Sequence, residues 1–263
     1  YKFKKVGHSG TLDPNADGLM LLATNGYTKL FDYISHTDKA YKVTAILGYS
    51  SPTLDVDSDL TFHESVDTIN FSHDIKNFLT NLHGESIQTP PIYSAIKVKG
   101  KRLYKYARND EEVDIPTRTI KVDNTELISL EGNKVTFEIT VSKGTYIRSI
   151  VEDLGKILNT KAVVESLTRT AIGNLKINHE KLNKNVPNID YETNLHTLDW
   201  REVIDLPIVE LDQDMLDVIK HGQLLSNEIF KNKEKYIISI NNDISAIYKP
   251  FDENNYKPDK VLI

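Results

Sequence analysis

Hydrophobic and polar positions repeat with two different periods along this chain, and the periods mark out its elements. Tyr41, Val43, Ala45 and Leu47 alternate with Lys42, Thr44 and Ile46, a two-residue period that predicts a strand from Tyr41 to Gly48. Val135, Phe137, Ile139 and Val141 alternate with Thr136, Glu138, Thr140 and Ser142, predicting a second strand with one buried face that ends at Lys143-Gly144. Between them, Ile75, Phe78, Leu79 and Leu82 fall at helical spacing behind Ser72 and Asp74, residues that suit a helix start, so 74–82 is expected to be helical. A second amphipathic helix is predicted from Ile147, Ile150, Val151, Leu154 and Leu158. Tyr146 and Arg148 therefore stand where strand meets helix, a junction at which rigid elements fix side chains that a loop leaves accessible.

Beyond Leu175 the composition shifts toward Asn and acidic residues, and Asn183 to Asn188 is expected to be a linker. The remainder predicts a short helix ending near His221-Gly222, then a hairpin of Tyr236 to Ile240 and Ile244 to Tyr248 around Asn241-Asn242-Asp243. With 263 residues, the chain exceeds the usual size of one domain, so a large domain with a small β-rich appendage is expected.

Composition adds limits. At 39% hydrophobic and 27% charged residues the chain is a globular protein with a sizeable core. No apolar run reaches bilayer length, and Tyr1-Lys2-Phe3-Lys4-Lys5 lacks the apolar core of a signal peptide. The sequence does not open on Met, so its numbering is expected to begin inside a longer chain. Without cysteine there is no disulfide, thiolate nucleophile or Cys-ligated zinc, and a cytoplasmic location is expected.

The net charge of −6 is unevenly placed: residues 180–263 hold 10 Lys or Arg against 16 acids, which leaves 22 of each in residues 1–179. Lys97, Lys99, Lys101, Arg102, Lys105 and Arg108 form a run without an acid, interleaved with Tyr104 and Tyr106. Such a stripe suits phosphates with aromatics stacked on bases, and it equally suits a solvated helix or hairpin face.

The candidate chemistry begins at Gly7-His8-Ser9-Gly10-Thr11-Leu12-Asp13-Pro14. Two glycines and a proline fix the backbone around Asp13, which makes its carboxylate a candidate nucleophile, although Asp-Pro is also an ordinary turn dipeptide. Familiar alternatives fail on spacing. In Gly7-His8-Ser9-Gly10-Thr11 the second glycine, Gly10, arrives one residue early for a nucleophile elbow, which sets aside a serine hydrolase. Asp55, Asp57 and Asp59 imitate a calcium loop, but Leu60 and Val66 stand where glycine and glutamate are required, so an acidic surface loop is expected. Ser142-Lys143-Gly144-Thr145 lacks the lead of a phosphate-binding loop, and no metalloprotease helix motif occurs; neither ATP nor a metal is implied.

Six segments together resemble the bacterial tRNA pseudouridine-55 synthases of the TruB type. They are Lys5 to Pro14 with Ala16-Asp17-Gly18, then Lys39-Ala40-Tyr41, Gln88 to Lys97, Gly100 to Tyr104 with Ala107-Arg108, Lys143 to Arg148, and Leu167 to Thr170. Their order and spacing match over residues 5 to about 173. The resemblance implies an α+β fold, with a mixed, largely antiparallel sheet flanked by helices in residues 1–180 and a small β-rich PUA-like module in 181–263. It implies an isomerase that turns uridine 55 in the T-arm of tRNA into pseudouridine without cofactor or metal, acting as a monomer with no membrane and no obligatory protein partner.

By the same resemblance Asp13 is the nucleophile, Arg148 its charge partner and Tyr41 the ring that stacks on the flipped uracil and helps remove its C5 proton. His8, Tyr146 and Leu167 line the substrate site, and Lys97 meets phosphate. The departures are three. The family's Lys-Pro-x-Gly element before the aspartate motif is missing, Ser9 replaces a commoner threonine, and Thr53-Leu54-Asp55 matches its segment only loosely. Rival expectations are a tRNA-binding or folding protein of this fold with impaired catalysis, a synthase for another RNA, and an unrelated hydrolase built on His8 and Asp13.

Overall fold

The computed structural model describes residues 3–34, 38–177 and 198–263, and the expected linker at 183–188 lies outside them. Along the chain come β1 (Val6–His8), β2 (Ala16–Gly18), β3 (Leu22–Thr24), α1 (Phe31–Ile34), β4 (Lys39–Leu47), and the two-residue strands β5 (Tyr49–Ser50) and β6 (Thr61–Phe62). Next are α2 (Ser72–Asn81), β7 (Gly84–Gln88), β8 (Lys97–Val98), β9 (Lys101–Arg102), α3 (Leu103–Ala107), β10 (Arg118–Glu131) and β11 (Lys134–Val141). They are followed by α4 (Ile147–Ile157), β12 (Ala162–Ile172) and β13 (Leu175–Lys176). After residue 198 stand β14 (Ile208–Leu211), α5 (Leu216–Lys220), β15 (Leu225–Ser226), β16 (Tyr236–Ile240), β17 (Asp243–Pro250) and β18 (Asn255–Val261). Two compact units result, one of Thr11–Leu19 and His36–His179, the other of Tyr1–Gly10, Met20–Ser35 and Glu180–Ile263.

The first unit is built on a seven-stranded sheet in the order β13-β12-β4-β11-β10-β7, with β2 added parallel to β12 and every other pairing antiparallel. The alternation in β4 and β11 has the predicted effect. Val43, Ala45, Leu47, Val135, Phe137, Ile139 and Val141 face one core, joined there by Ile75, Phe78 and Leu79 of α2 and by Ile147, Ile150, Val151 and Leu154 of α4. Thr44 and Thr136 turn the other way, their hydroxyls 3.3 Å apart. Such a sheet, packed on one face and polar on the other, requires the two-residue period that the sequence displays.

Helix α2 starts two residues before the expected position because a 3-10 turn, Thr68–Phe71, leads into it. Asp67 caps that turn by accepting from the Ile69 N–H at 3.2 Å. The basic stretch folds as the tight hairpin of β8 and β9, with Lys99 and Gly100 at positive φ, followed by α3.

In the second unit β1 pairs antiparallel with β3, and β14-β16-β17-β18-β15 form a five-stranded sheet. The expected hairpin is β16 and β17, with Asn241 and Asn242 both at positive φ, the backbone that a two-residue turn between twisted strands demands. Ile219, Tyr236, Ile238, Tyr248 and Tyr256 fill its core, where Phe230 stacks on Tyr256 with centroids 3.8 Å apart. Among the described residues no helix is long and apolar enough to cross a membrane.

Candidate active site

Asp13 sits in a loop between the end of one unit's segment at Gly10 and the return at Met20. Its carbonyl accepts from the Ala16 N–H at 2.9 Å, closing a turn, after which β2 lies along β12 with Ala16 opposite Leu167. The loop's exit is latched at Arg169. There the Leu19 N–H donates to the Arg169 carbonyl at 2.9 Å, and Arg169 Nε donates back to the Leu19 carbonyl at 2.6 Å. Gly18 has φ +104°, and a Cβ there would lie 2.4 Å from the Arg169 carbonyl oxygen, so only glycine permits this approach. Asn15 fixes the middle of the loop, donating from Nδ2 to the Glu165 carbonyl at 3.0 Å and to Asp55 Oδ1 at 3.2 Å.

Onto this loop α4 projects Arg148 from its first turn. Arg148 Nε lies 2.8 Å from Asp13 Oδ2, and Nη2 donates to Oδ1 at 3.0 Å, a two-pronged ion pair in which Arg148 is buried and the Asp13 side chain is 34% exposed. Nη1 donates to the carbonyls of Thr53 at 2.9 Å and Tyr93 at 3.1 Å. The guanidinium is thus held by three segments, and the carboxylate keeps an accessible side. A planar fork with five donors does this where an ammonium would not.

Tyr146, at the N-terminal cap of α4, makes no side-chain cap. Gln88 supplies its backbone partners instead: Gln88 Nε2 donates to the Tyr146 carbonyl at 3.0 Å, and the Tyr146 N–H donates to Gln88 Oε1 at 2.8 Å. The Tyr146 ring has the Arg148 guanidinium 6.0 Å from its centroid and that of Arg118 at 5.5 Å. Tyr41 lies opposite Arg169 in the β4–β12 register, and Leu167 opposite Val43. Burial pushes the Tyr41 phenol above its ordinary range, the charge of Asp13 adds to this, and the charge and hydrogen bond of Arg169 oppose it.

Asp13, Arg148, Tyr146, Tyr41 and Leu167 consequently belong to one unit and are tied by contacts and register. Lys97 is exposed on β8 of the same unit, and no contact joins it to Asp13. His8 lies on β1 in the other unit, where its Nδ1 accepts from the Gly10 N–H at 3.2 Å. Ser9 is structural: its buried hydroxyl accepts from the Leu21 N–H at 3.2 Å. The tyrosines of the basic stretch are also engaged, Tyr106 beneath Lys101 at 4.5 Å and Tyr104 beneath Arg108 at 5.2 Å, while Lys101 pairs with Glu111.

The expected acidic surface loop needs correction at Asp55. That residue is 2% exposed, its Oδ1 accepts from Asn15 and from the Asp57 N–H at 3.2 Å, and its Oδ2 is buried without a partner. Burial raises its carboxyl above the usual range, against the hydrogen bonds and the Arg148 charge. Gln88 opens one of the segments that resemble the family, with no role assigned to it by the sequence. Its place before a proline pair says nothing of a partner 58 residues away.

The sequence model of the TruB family pseudouridylate synthase (N terminal domain) matches residues 1–147. This chain belongs to the TruB family. Among its relatives, the tRNA pseudouridine synthase B of Ligilactobacillus salivarius is 33% identical over all of this chain and 91% of its own length. That of Mesoplasma florum is 37% identical over 96% of this chain and 85% of its own length. A crystal structure of a Cbf5-Nop10-Gar1 complex contains a chain that superposes with TM-score 0.65 and 23% identity, covering 99% of this chain and 77% of that one. An H/ACA RNP bound to a substrate RNA containing 2'-deoxyuridine gives TM-score 0.64 at 21% identity, with the same coverage. The TruB chain therefore has the pseudouridine synthase fold, α+β with a small β-rich PUA-like C-terminal module. In it, the Asp13–Arg148 pair sits on the strand-to-helix junction singled out by sequence.

Proposed function

We propose that this chain is a tRNA pseudouridine synthase acting on uridine 55 of the T-arm, with Asp13 as nucleophile. The observation that carries the reading is the ion pair itself. A carboxylate held by a buried two-pronged guanidinium, one side open, is set to attack and is not merely capping a turn. The names of the relatives supply the RNA class. In the isomerisation the C1′–N1 bond breaks and a C1′–C5 bond forms, while C5 loses a proton and N1 takes one up. No redox partner is consumed. Since the target atoms are hidden in a stacked base, the uridine must be flipped out, and Tyr41, Tyr146 and Leu167 offer two rings and an apolar wall to receive it.

Tyr41 is the ring that stacks on the flipped uracil and helps remove the proton from C5. Lys97 and the exposed part of the basic hairpin contact phosphates, and His8 contacts the T-loop. The protein works as a monomer in the cytoplasm on free tRNA. The test is conversion of uridine 55 in an unmodified tRNA transcript, in buffer with chelator and no cofactor, read by sequencing after carbodiimide treatment. Asp13→Asn is expected to bind the transcript as wild type does and to form no pseudouridine. Turnover by Asp13→Asn would overturn the assignment.

A further inference from the structure

Two guanidiniums share the ring of Tyr146, and their surroundings differ. Arg148 has its charge met by Asp13, and its Nη1 donates to two carbonyls. Arg118 is only half buried and donates from Nη1 to the Gly144 carbonyl at 3.1 Å, a neutral acceptor. Its Nε is buried without a partner, and among the described residues no carboxylate lies within ion-pair distance. A full positive charge is thus left uncompensated beside the site.

Its position is built with care. Arg118 opens β10 opposite Gln88 in register, and Gln88 holds both backbone groups of Tyr146, so one strand pair fixes the guanidinium and the ring it covers. Gly144, whose carbonyl accepts from Nη1, has φ +87°, a backbone conformation that favours glycine, and a Cβ there would lie 2.9 Å from Arg118 Nη1. An arginine fixed in this way, with an unmet charge and Nη2 hydrogens to spare, is matched by an anion with several oxygens.

We infer that Arg118 is a phosphate-binding residue of the site, taking a backbone phosphodiester of the RNA next to the nucleotide that enters beside Tyr146. The inference rests on the function proposed above for that site and assigns a contact that the motif segments do not include. Docking of the phosphate neutralises Arg118 beside the Tyr146 ring, as Asp13 neutralises Arg148.

The experiment measures binding of an unmodified tRNA transcript across a salt series by filter retention. It uses Arg118→Gln and Arg118→Lys, each combined with Asp13→Asn so that no turnover intervenes. Arg118→Gln is expected to weaken binding about tenfold at low salt and to lower the slope of log affinity against log salt by about one. Arg118→Lys, which keeps the charge, is expected to restore the slope. An unchanged slope in Arg118→Gln, or an equal loss in both variants, overturns the contact. A measurement on the Asp13→Asn chain alone guards against misfolding of the variants. A single neutral methylphosphonate linkage beside the target uridine is expected to weaken its binding, and no such effect at either neighbouring linkage also overturns the contact. A wild-type chain that binds tRNA but forms no pseudouridine would instead sink the catalytic reading, which the salt slopes do not measure.

Discussion

Charged and hydroxyl groups are used differently in the two units. In the unit containing Asp13 polar groups converge: the Asp13 carboxylate and the backbone carbonyls of Thr53 and Tyr93 all meet Arg148, and Asn15 and Asp55 brace the loop that carries the carboxylate. In the other unit they are spread along a seam between residues 20–34 and the C-terminal strands. Tyr27 donates to Asp243 and Tyr33 to Asp259, both at 2.5 Å, Lys29 donates to the Val261 carbonyl, and Lys260 pairs with Asp32. Asp259 also receives Lys235 at 2.9 Å and Lys249 at 2.6 Å. A seam shares its free energy over many bonds, whereas a convergent cluster concentrates its bonds on one arginine.

The sharpest way to break this comparison is Arg148→Met. It should abolish pseudouridine formation in single-turnover assays and also lower unfolding stability by about 1–3 kcal/mol, because the Thr53 and Tyr93 carbonyls lose their donor. Substantial turnover would show that Asp13 needs no partner. Asp259→Asn should behave oppositely, destabilising its own unit by about 1–3 kcal/mol in denaturant titrations while single-turnover rates measured well below the melt stay as in wild type.

The pH dependence of that variant has a defined sign. Burial opposes ionisation of Asp259, but the hydrogen bonds of Lys249, Tyr33 and Lys235 outweigh it and hold the carboxyl well below the usual carboxylate range. Its stabilisation is therefore present above the ordinary carboxylate pKa and lost as pH falls toward the folded value, so wild type and Asp259→Asn should converge in acid. The smallest effect is expected at the alkaline end. Burial pushes Tyr248 up to about 12, and its hydroxyl donates to the Gln223 carbonyl at 2.8 Å. A raised phenol contributes fully below its unfolded pKa of about 10 and loses that contribution as pH rises through the folded value. Tyr248→Phe should flatten the fall in stability between those limits, and an identical alkaline slope would remove Tyr248 from the account.

Much of the fold was legible because it depends on local period. The alternation of β4 and β11, the stripe of α4 and the Asn241-Asn242 turn are all set by residues a few positions apart, and each formed where expected. Asp13 and Arg148 were legible as motif residues. Asp55 was not, because an acidic run reads as solvated unless one knows that Asn15 and Ser51 turn inward to meet it. Arg118, and the role of Gln88 within its motif segment, were not legible for the same reason, since the partner of each, Gly144 or Tyr146, lies 26 or 58 residues away.

By itself, then, the sequence determined the strands β4, β11, β16 and β17 and the helices α2 and α4, the buried face of β4, β11 and both helices, and the family to which the chain belongs, while the long strands β10 and β12 carried no period that singled them out. Those outcomes follow from short-range sterics and from the free energy of removing apolar stripes from water. The tertiary structure alone decided which charges are met. It joined Arg148 to Asp13 across 135 residues, left Arg118 without an acid among the described residues, and buried Asp55. Electrostatic pairing depends on a few ångströms and on access to water, and neither can be read along a chain until it is folded.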